Sequence, residues 1–205
     1  MTDIGSIMRM CPMIPVLIVE DVAQARAIAE ALVAGGLRVL EVTLRTPAAL
    51  DVIREMSRVE GAVVGAGTVL NETQLQESID AGARFAVSPG LTERIGRAAI
   101  ASGLPFLPGV SSPGDIMRGL DLGLSHFKFF PAVASGGIPG LAALSGPFAE
   151  ARFCPTGGIT METAPDWLAL DPVLCVGGTW LNSKPGAVDR EALRKGAEAA
   201  AALNS

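Results

Sequence analysis

Positive charge, aromatic rings and metal-ligand side chains are all scarce in this sequence. Its 16 lysines and arginines stand against 21 aspartates and glutamates, a formal net charge of -5. It contains no basic block, no tyrosine and 2 tryptophans to stack on bases, which argues against a nucleic-acid partner. The 1 histidine leaves no His-His or His-Glu pair to hold a catalytic divalent ion, so no metal and no cofactor is expected. No apolar run approaches the roughly 18 residues that span a bilayer, so no membrane partner is expected. The 3 cysteines, Cys11, Cys154 and Cys175, are odd in number, and the last two sit in strand-like apolar runs. Buried reduced thiols in the cytoplasm explain them better than disulfides. The apolar stretch from Met13 to Val19 is broken by Pro15 and followed by Glu20-Asp21, which reads as a first buried strand rather than a signal peptide.

What the chain does have is 205 residues that are 49% hydrophobic, enough for one domain over 1-205 with a sizeable core. Short apolar runs recur, and helix-start residues follow most of them. Pro15 to Val19 leads to Asp21, Val39 to Leu44 to Thr46-Pro47, and Val63 to Val69 to Asn71 with Gln74 three residues on. The same order repeats at Phe85 to Val87 before Thr92, Leu104 to Val110 before Ser112-Pro113, and Phe127 to Phe130 before a glycine-rich turn. It continues with Phe153 before Thr160 and Val173 to Val176 before a last helix over about 189-203. Glycines at 35, 36, 82, 103 and 123 mark the returns. About eight strand-helix units predict an α/β fold, a compact single-domain (β/α)8 TIM barrel, with residues 1-11 as an N-terminal extension or helix.

In such a barrel the chemistry collects at the C-terminal strand ends. Lys128 lies in the run His126-Phe127-Lys128-Phe129-Phe130-Pro131, where burial disfavours the ammonium and exposes a nucleophilic amine, one able to form imines with ketones. Period-two reading puts Glu41, Thr43 and Arg45 on one face of the second strand and Lys128 on the matching face of the sixth, so Glu41 and Lys128 aim into one volume. Each residue also has a plainer reading: a lysine that snorkels outward, a buried ion pair without chemistry, an Arg45 that closes a surface ion pair, and a structural His126. Thr156-Gly157-Gly158-Ile159 and Gly177-Gly178-Thr179-Trp180 end the seventh and eighth strands, where backbone N–H groups and a hydroxyl suit phosphate. Gly65-Ala66-Gly67-Thr68 is either a further anion contact or a tight strand exit.

Five stretches together resemble the 2-keto-3-deoxy-6-phosphogluconate (KDPG) aldolase family. They are Glu41-Val42-Thr43-Leu44-Arg45-Thr46, Gly65 to Val69, Ser88-Pro89-Gly90, Phe127 to Ala132, and Arg152 to Ile159. The resemblance implies a metal-independent class I aldolase, a lyase and a homotrimer of barrels in the Entner-Doudoroff route. It would cleave KDPG to pyruvate and glyceraldehyde 3-phosphate. By position Lys128 resembles the family's Schiff-base lysine and Glu41 its general acid/base. Arg45, Thr68 and Pro89 match the residues around the pyruvate carboxylate, and Thr156, Gly157, Gly158 and Gly178 match the phosphate loops. Thr179 stands where bacterial members carry serine. The implied partner is a phosphorylated keto acid. The same chemistry on 4-hydroxy-2-oxoglutarate (KHG) or on the 6-phosphogalactonate epimer stays open, as do a phosphosugar isomerase or epimerase using Glu41 as base and a noncatalytic phosphosugar sensor.

Overall fold

The computed structural model describes residues 3-182 and 188-204. A short helix α1 (Ile4–Met8) precedes the alternating elements β1 (Met13–Leu17), α2 (Val22–Ala34), β2 (Val39–Thr43), α3 (Ala49–Met56), β3 (Val63–Gly67), α4 (Glu72–Asp80), β4 (Phe85–Val87) and α5 (Glu93–Ser102). Then come β5 (Phe106–Leu107), β6 (Gly109–Val110), α6 (Pro113–Asp121), β7 (His126–Phe129), α7 (Gly137–Ser145), β8 (Arg152–Pro155), α8 (Ala164–Leu168), β9 (Val176–Gly178) and α9 (Arg190–Ala201).

All the paired strands are parallel, in sheets ordered β5-β4-β3-β2-β1-β9 and β6-β7-β8. The sequence predicts one strand from Leu104 to Val110, whereas two short segments flank Pro108. Proline has no N–H for the ladder, yet the Pro108 carbonyl accepts from Lys128 N at 2.8 Å, so the chain passes from one sheet to the other without leaving the layer. On the far side, parallel bridges pair Phe153 with Val173 and Thr156 with Gly177, linking β8 to the β9 segment.

Helix caps sit beyond the C-terminal strand ends and set the exit angles. The side chains of Asp21, Asn71, Thr92, Ser112 and Asp189 accept from backbone N–H groups of the first turns of α2, α4, α5, α6 and α9. Two expected starts differ. The Thr46 hydroxyl donates to Val19 O at 2.8 Å, so it bridges two loops, and α3 begins after Ala48 with no side-chain cap. The Thr160 and Thr163 side chains bond within one turn, and α8 starts only at Ala164. Gln74 reaches past its N-cap to Leu70 N at 2.8 Å.

The aromatic run around Lys128 splits by strand alternation. Phe127 and Phe129 are buried under the helices, where Phe127 packs on Phe153 with ring centroids 6.1 Å apart and Phe129 on Trp167 at 6.4 Å. Lys128 is left on the other face. Among the described residues no helix is long and apolar enough to cross a membrane.

Candidate active site

Strand register brings the two candidate catalytic groups together. Glu41 pairs with Val16 and Gly65 inside the first sheet, and Lys128 pairs with Gly109 and Cys154 inside the second. Their side chains cross the interior to meet: Lys128 Nζ donates to Glu41 Oε1 at 3.0 Å and to Oε2 at 3.4 Å. The two side chains are 7% and 4% exposed, so the pair is shielded from water. Lys128 therefore does not snorkel. Of its aromatic neighbours in sequence only Phe130 faces it, with Nζ 5.3 Å from the ring centroid. The flanking strands and Glu41, rather than the aromatic run as a whole, make the lysine's surroundings.

At the rim, Arg45 Nε donates to Thr68 Oγ1 at 3.3 Å, bringing together two residues 23 positions apart. Among the described residues Arg45 forms no ion pair, which leaves its remaining N–H groups for an anion. A cavity of about 360 Å³ lined by Glu20, Arg45, Thr46, Pro47 and Ala48 opens beside it. Thr68 holds φ at 60°, the single positive-φ residue other than glycine among those described. That conformation is rare for a β-branched side chain and is found where a site demands it. The Thr43 hydroxyl is spent on Leu17 O at 3.0 Å and is a strand tie, not a free donor. Pro89 is half-buried, and its carbonyl occupies the space a side chain at Gly109 would need.

The two glycine pairs differ in physical origin. Gly157 and Gly158 take φ of 106° and 80°, values that leave their N–H groups outside the strand ladder and able to cradle an anion. Gly177 and Gly178 have no such φ; they are bare because Thr156 and the Trp180 ring lie where a Cβ would stand. The bridge between Thr156 and Gly177 sets the loops after β8 and β9 side by side. Thr156 is buried with its hydroxyl toward Cys154 O at 3.4 Å, while Gly158 and Thr179 are exposed. Trp180 Nε1 is buried without a hydrogen-bond partner among the described residues.

Sequence reasoning missed one clasp. Asn182 donates through Nδ2 to Val16 O at 2.9 Å and accepts from Ile18 N at 2.9 Å, tying the chain after β9 to the exit of β1. Nothing local signals a contact between residues 164 and 166 positions apart. His126 is half-buried at the start of β7, with Nδ1 3.2 Å from Ser125 Oγ. Cys11, Cys154 and Cys175 are buried free thiols, and the Cys154 contact together with burial pushes the Cys175 thiol well above its ordinary range. Among the described residues no three His, Cys, Asp or Glu side chains gather as a metal site.

A family model described as KDPG and KHG aldolase matches residues 4-195. The chain belongs to that aldolase family. Its matched region includes Glu41, Lys128 and every rim and loop residue named above. A curated relative, the 2-dehydro-3-deoxy-phosphogluconate aldolase of Zymomonas mobilis, is 55% identical over 201 residues, covering 97% of each chain. A crystal structure of the Zymomonas mobilis KDPG aldolase with 3-phosphoglycerate superposes with a TM-score of 0.96 at 53% identity, covering 100% of this chain and 97% of that one. A second KDPG aldolase, from Legionella pneumophila with pyruvate captured as a covalent carbinolamine, gives a TM-score of 0.87 at 43% identity over 98% of this chain and 96% of that one. Membership of an aldolase family makes this chain's reaction class that of a lyase.

Proposed function

We propose that this chain is a class I aldolase that cleaves KDPG to pyruvate and glyceraldehyde 3-phosphate through an imine on Lys128. The observation that carries the reading is the buried Lys128–Glu41 pair at 3.0 Å, in a family with a member that holds pyruvate as a carbinolamine. Lys128 gives up a proton to Glu41, and its Nζ attacks the C2 carbonyl carbon. Glu41 returns its proton to the carbinolamine hydroxyl, which leaves as water to give an iminium and restores the Glu41 carboxylate. Glu41, or a water it holds, takes the proton of the C4 hydroxyl while the C3–C4 bond breaks. The bonding pair flows into the iminium, leaving an enamine, and the aldehyde departs. Protonation of the enamine at C3 from Glu41 and hydrolysis of the imine release pyruvate and restore the lysine. General acid–base assistance of this kind contributes about 10^2- to 10^4-fold. The iminium is the electron sink, so the sequence of steps calls on no metal or prosthetic group.

Arg45 and Thr68 hold the substrate carboxylate, with Pro89 lining the same pocket. The loops carrying Thr156, Gly157, Gly158, Gly178 and Thr179 take the phosphate, supported by the paired loop placement and by the phosphoglycerate of the Zymomonas mobilis structure. Remote phosphate binding then positions the reacting carbons. The family's second named substrate, KHG, lacks phosphate and is a secondary substrate in this reading.

The same proposal takes residues 1-205 as one domain whose strands close as a (β/α)8 barrel. The passage through Pro108 and the bridges from β8 to the β9 segment support closure. A cytoplasmic homotrimer completes it, and sedimentation at three times the chain mass of 21.0 kDa is the check on assembly.

The deciding experiment is borohydride reduction in the presence of pyruvate, followed by peptide mass spectrometry. A stable adduct on Lys128 is expected. A folded protein that yields none turns the reading toward an isomerase or epimerase with Glu41 as its base.

A further inference from the structure

The Gly65 to Thr68 stretch has a use that neither anion binding nor a tight turn accounts for. A Cβ built on Gly67 has three nearest heavy atoms, and all belong to Glu41: Oε1 inside contact distance, Cγ at 2.7 Å and Cδ at 2.8 Å. These are the atoms that bring the carboxylate to Lys128. Glu41 is 3% exposed, so it has little room to swing aside. Gly67 has no room to retreat either, since it pairs with Thr43 in the ladder and its carbonyl accepts from Leu44 N at 2.8 Å. Its φ is not in the left-handed region, so alanine suits the backbone there. Gly65, two residues earlier, is bare for a different partner, the Phe85 ring.

We propose that Gly67 is a positioning residue for the reaction: its missing side chain is the space in which Glu41 holds its carboxylate against Lys128. The inference rests on the aldolase reading above. In the trimmed space of a Gly67→Ala variant the carboxylate is pushed off Lys128, and a misplacement of about 1 Å costs about 10^2-fold in rate.

The test combines Gly67→Ala, Glu41→Ala and the double variant in the full chain. Gly67→Ala is expected to lower kcat for cleavage, and the exchange of pyruvate methyl protons with deuterium, each by about 10^2-fold. KM changes little, because Arg45 and the phosphate loops are untouched, and borohydride still traps pyruvate on Lys128. In the Glu41→Ala background the clashing atoms are gone, so adding Gly67→Ala changes the residual rate by less than about 2-fold. A Gly67→Ala protein that melts early while the double variant folds supports the same clash. Full kcat in folded Gly67→Ala, additive losses in the double variant, or a double variant that melts well below Glu41→Ala would each overturn the proposal. Wild-type activity in Glu41→Ala would instead sink the catalytic reading of Glu41, and the melting comparison would still report on the clash.

Discussion

Lys128 Nζ and Glu41 Oε1 stand 3.0 Å apart in a site where the two side chains are 7% and 4% exposed. A buried pair gains little over apolar replacements, but removing one partner strands the other charge at a cost of about 3–5 kcal/mol. Lys128→Ala should therefore abolish cleavage and also lower Tm by about 10 °C, while remaining folded at room temperature. Lys128→Met combined with Glu41→Gln should recover most of that Tm and none of the activity. Calorimetry of the three proteins checks this, and an unshifted Tm for Lys128→Ala would show that the pair is not desolvated.

Thr68 carries a strained φ of 60° beside Arg45. Strain of this kind costs about 1–3 kcal/mol, and glycine relieves it while giving back part of the gain as unfolded-chain entropy. Thr68→Gly should stabilise the fold by about 1 kcal/mol in urea titrations. It should raise KM for every keto acid substrate, since the hydroxyl that orients Arg45 is lost. Arg45→Ala should raise KM by roughly 10- to 100-fold, the range of a hydrogen bond to a charged group. Destabilisation by Thr68→Gly would remove the strain argument.

The convergence of Glu41 and Lys128 was legible because side-chain alternation is a local rule and both residues lie in regular strands. Helix starts at Asp21, Asn71, Thr92, Ser112 and Asp189 were legible for the same reason: capping is decided within a few residues. What stayed hidden depends on partners distant in sequence. Thr46 looks like a cap, yet Val19 captures its hydroxyl. Gly177 and Gly178 read as a phosphate loop, but the contacts with Thr156 and Trp180 that leave no room for a Cβ there were not legible. The separation of Phe127 and Phe129 from Lys128, by contrast, follows from local alternation and was legible. Gly67 and Asn182 act through Glu41 and β1, contacts that only the assembled sheet creates.

Thr179 is exposed beside the buried Gly178, in the loop next to Gly157 and Gly158. If its hydroxyl donates to phosphate, Thr179→Val removes one charge-assisted hydrogen bond, and KM for KDPG should rise by about 10-fold or more. KM for unphosphorylated KHG should stay the same, and Thr179→Ser should match the wild type on both. Equal losses on the two substrates would place Thr179 outside phosphate binding.

His126 is the 1 histidine of the chain, so its titration is readable without assignment. Burial lowers its pKa, the charges of Arg9 and Arg152 lower it further, and Asp3 opposes them. Above the ordinary value of about 6.5 the imidazole is neutral in both folded and unfolded chains and adds no pH dependence. As pH falls below that, the unfolded chain takes up a proton that the folded protein still refuses, so stability declines until the lowered folded pKa is passed. The NMR midpoint of His126 should lie below 6.5. His126→Gln should flatten the decline in stability below pH 6.5 relative to the wild type. Turnover should be unchanged by the substitution, because Arg9, Asp3 and Arg152 all lie outside the candidate site. A midpoint above 6.5, or an identical acid limb in the variant, would mean that burial does not control this group.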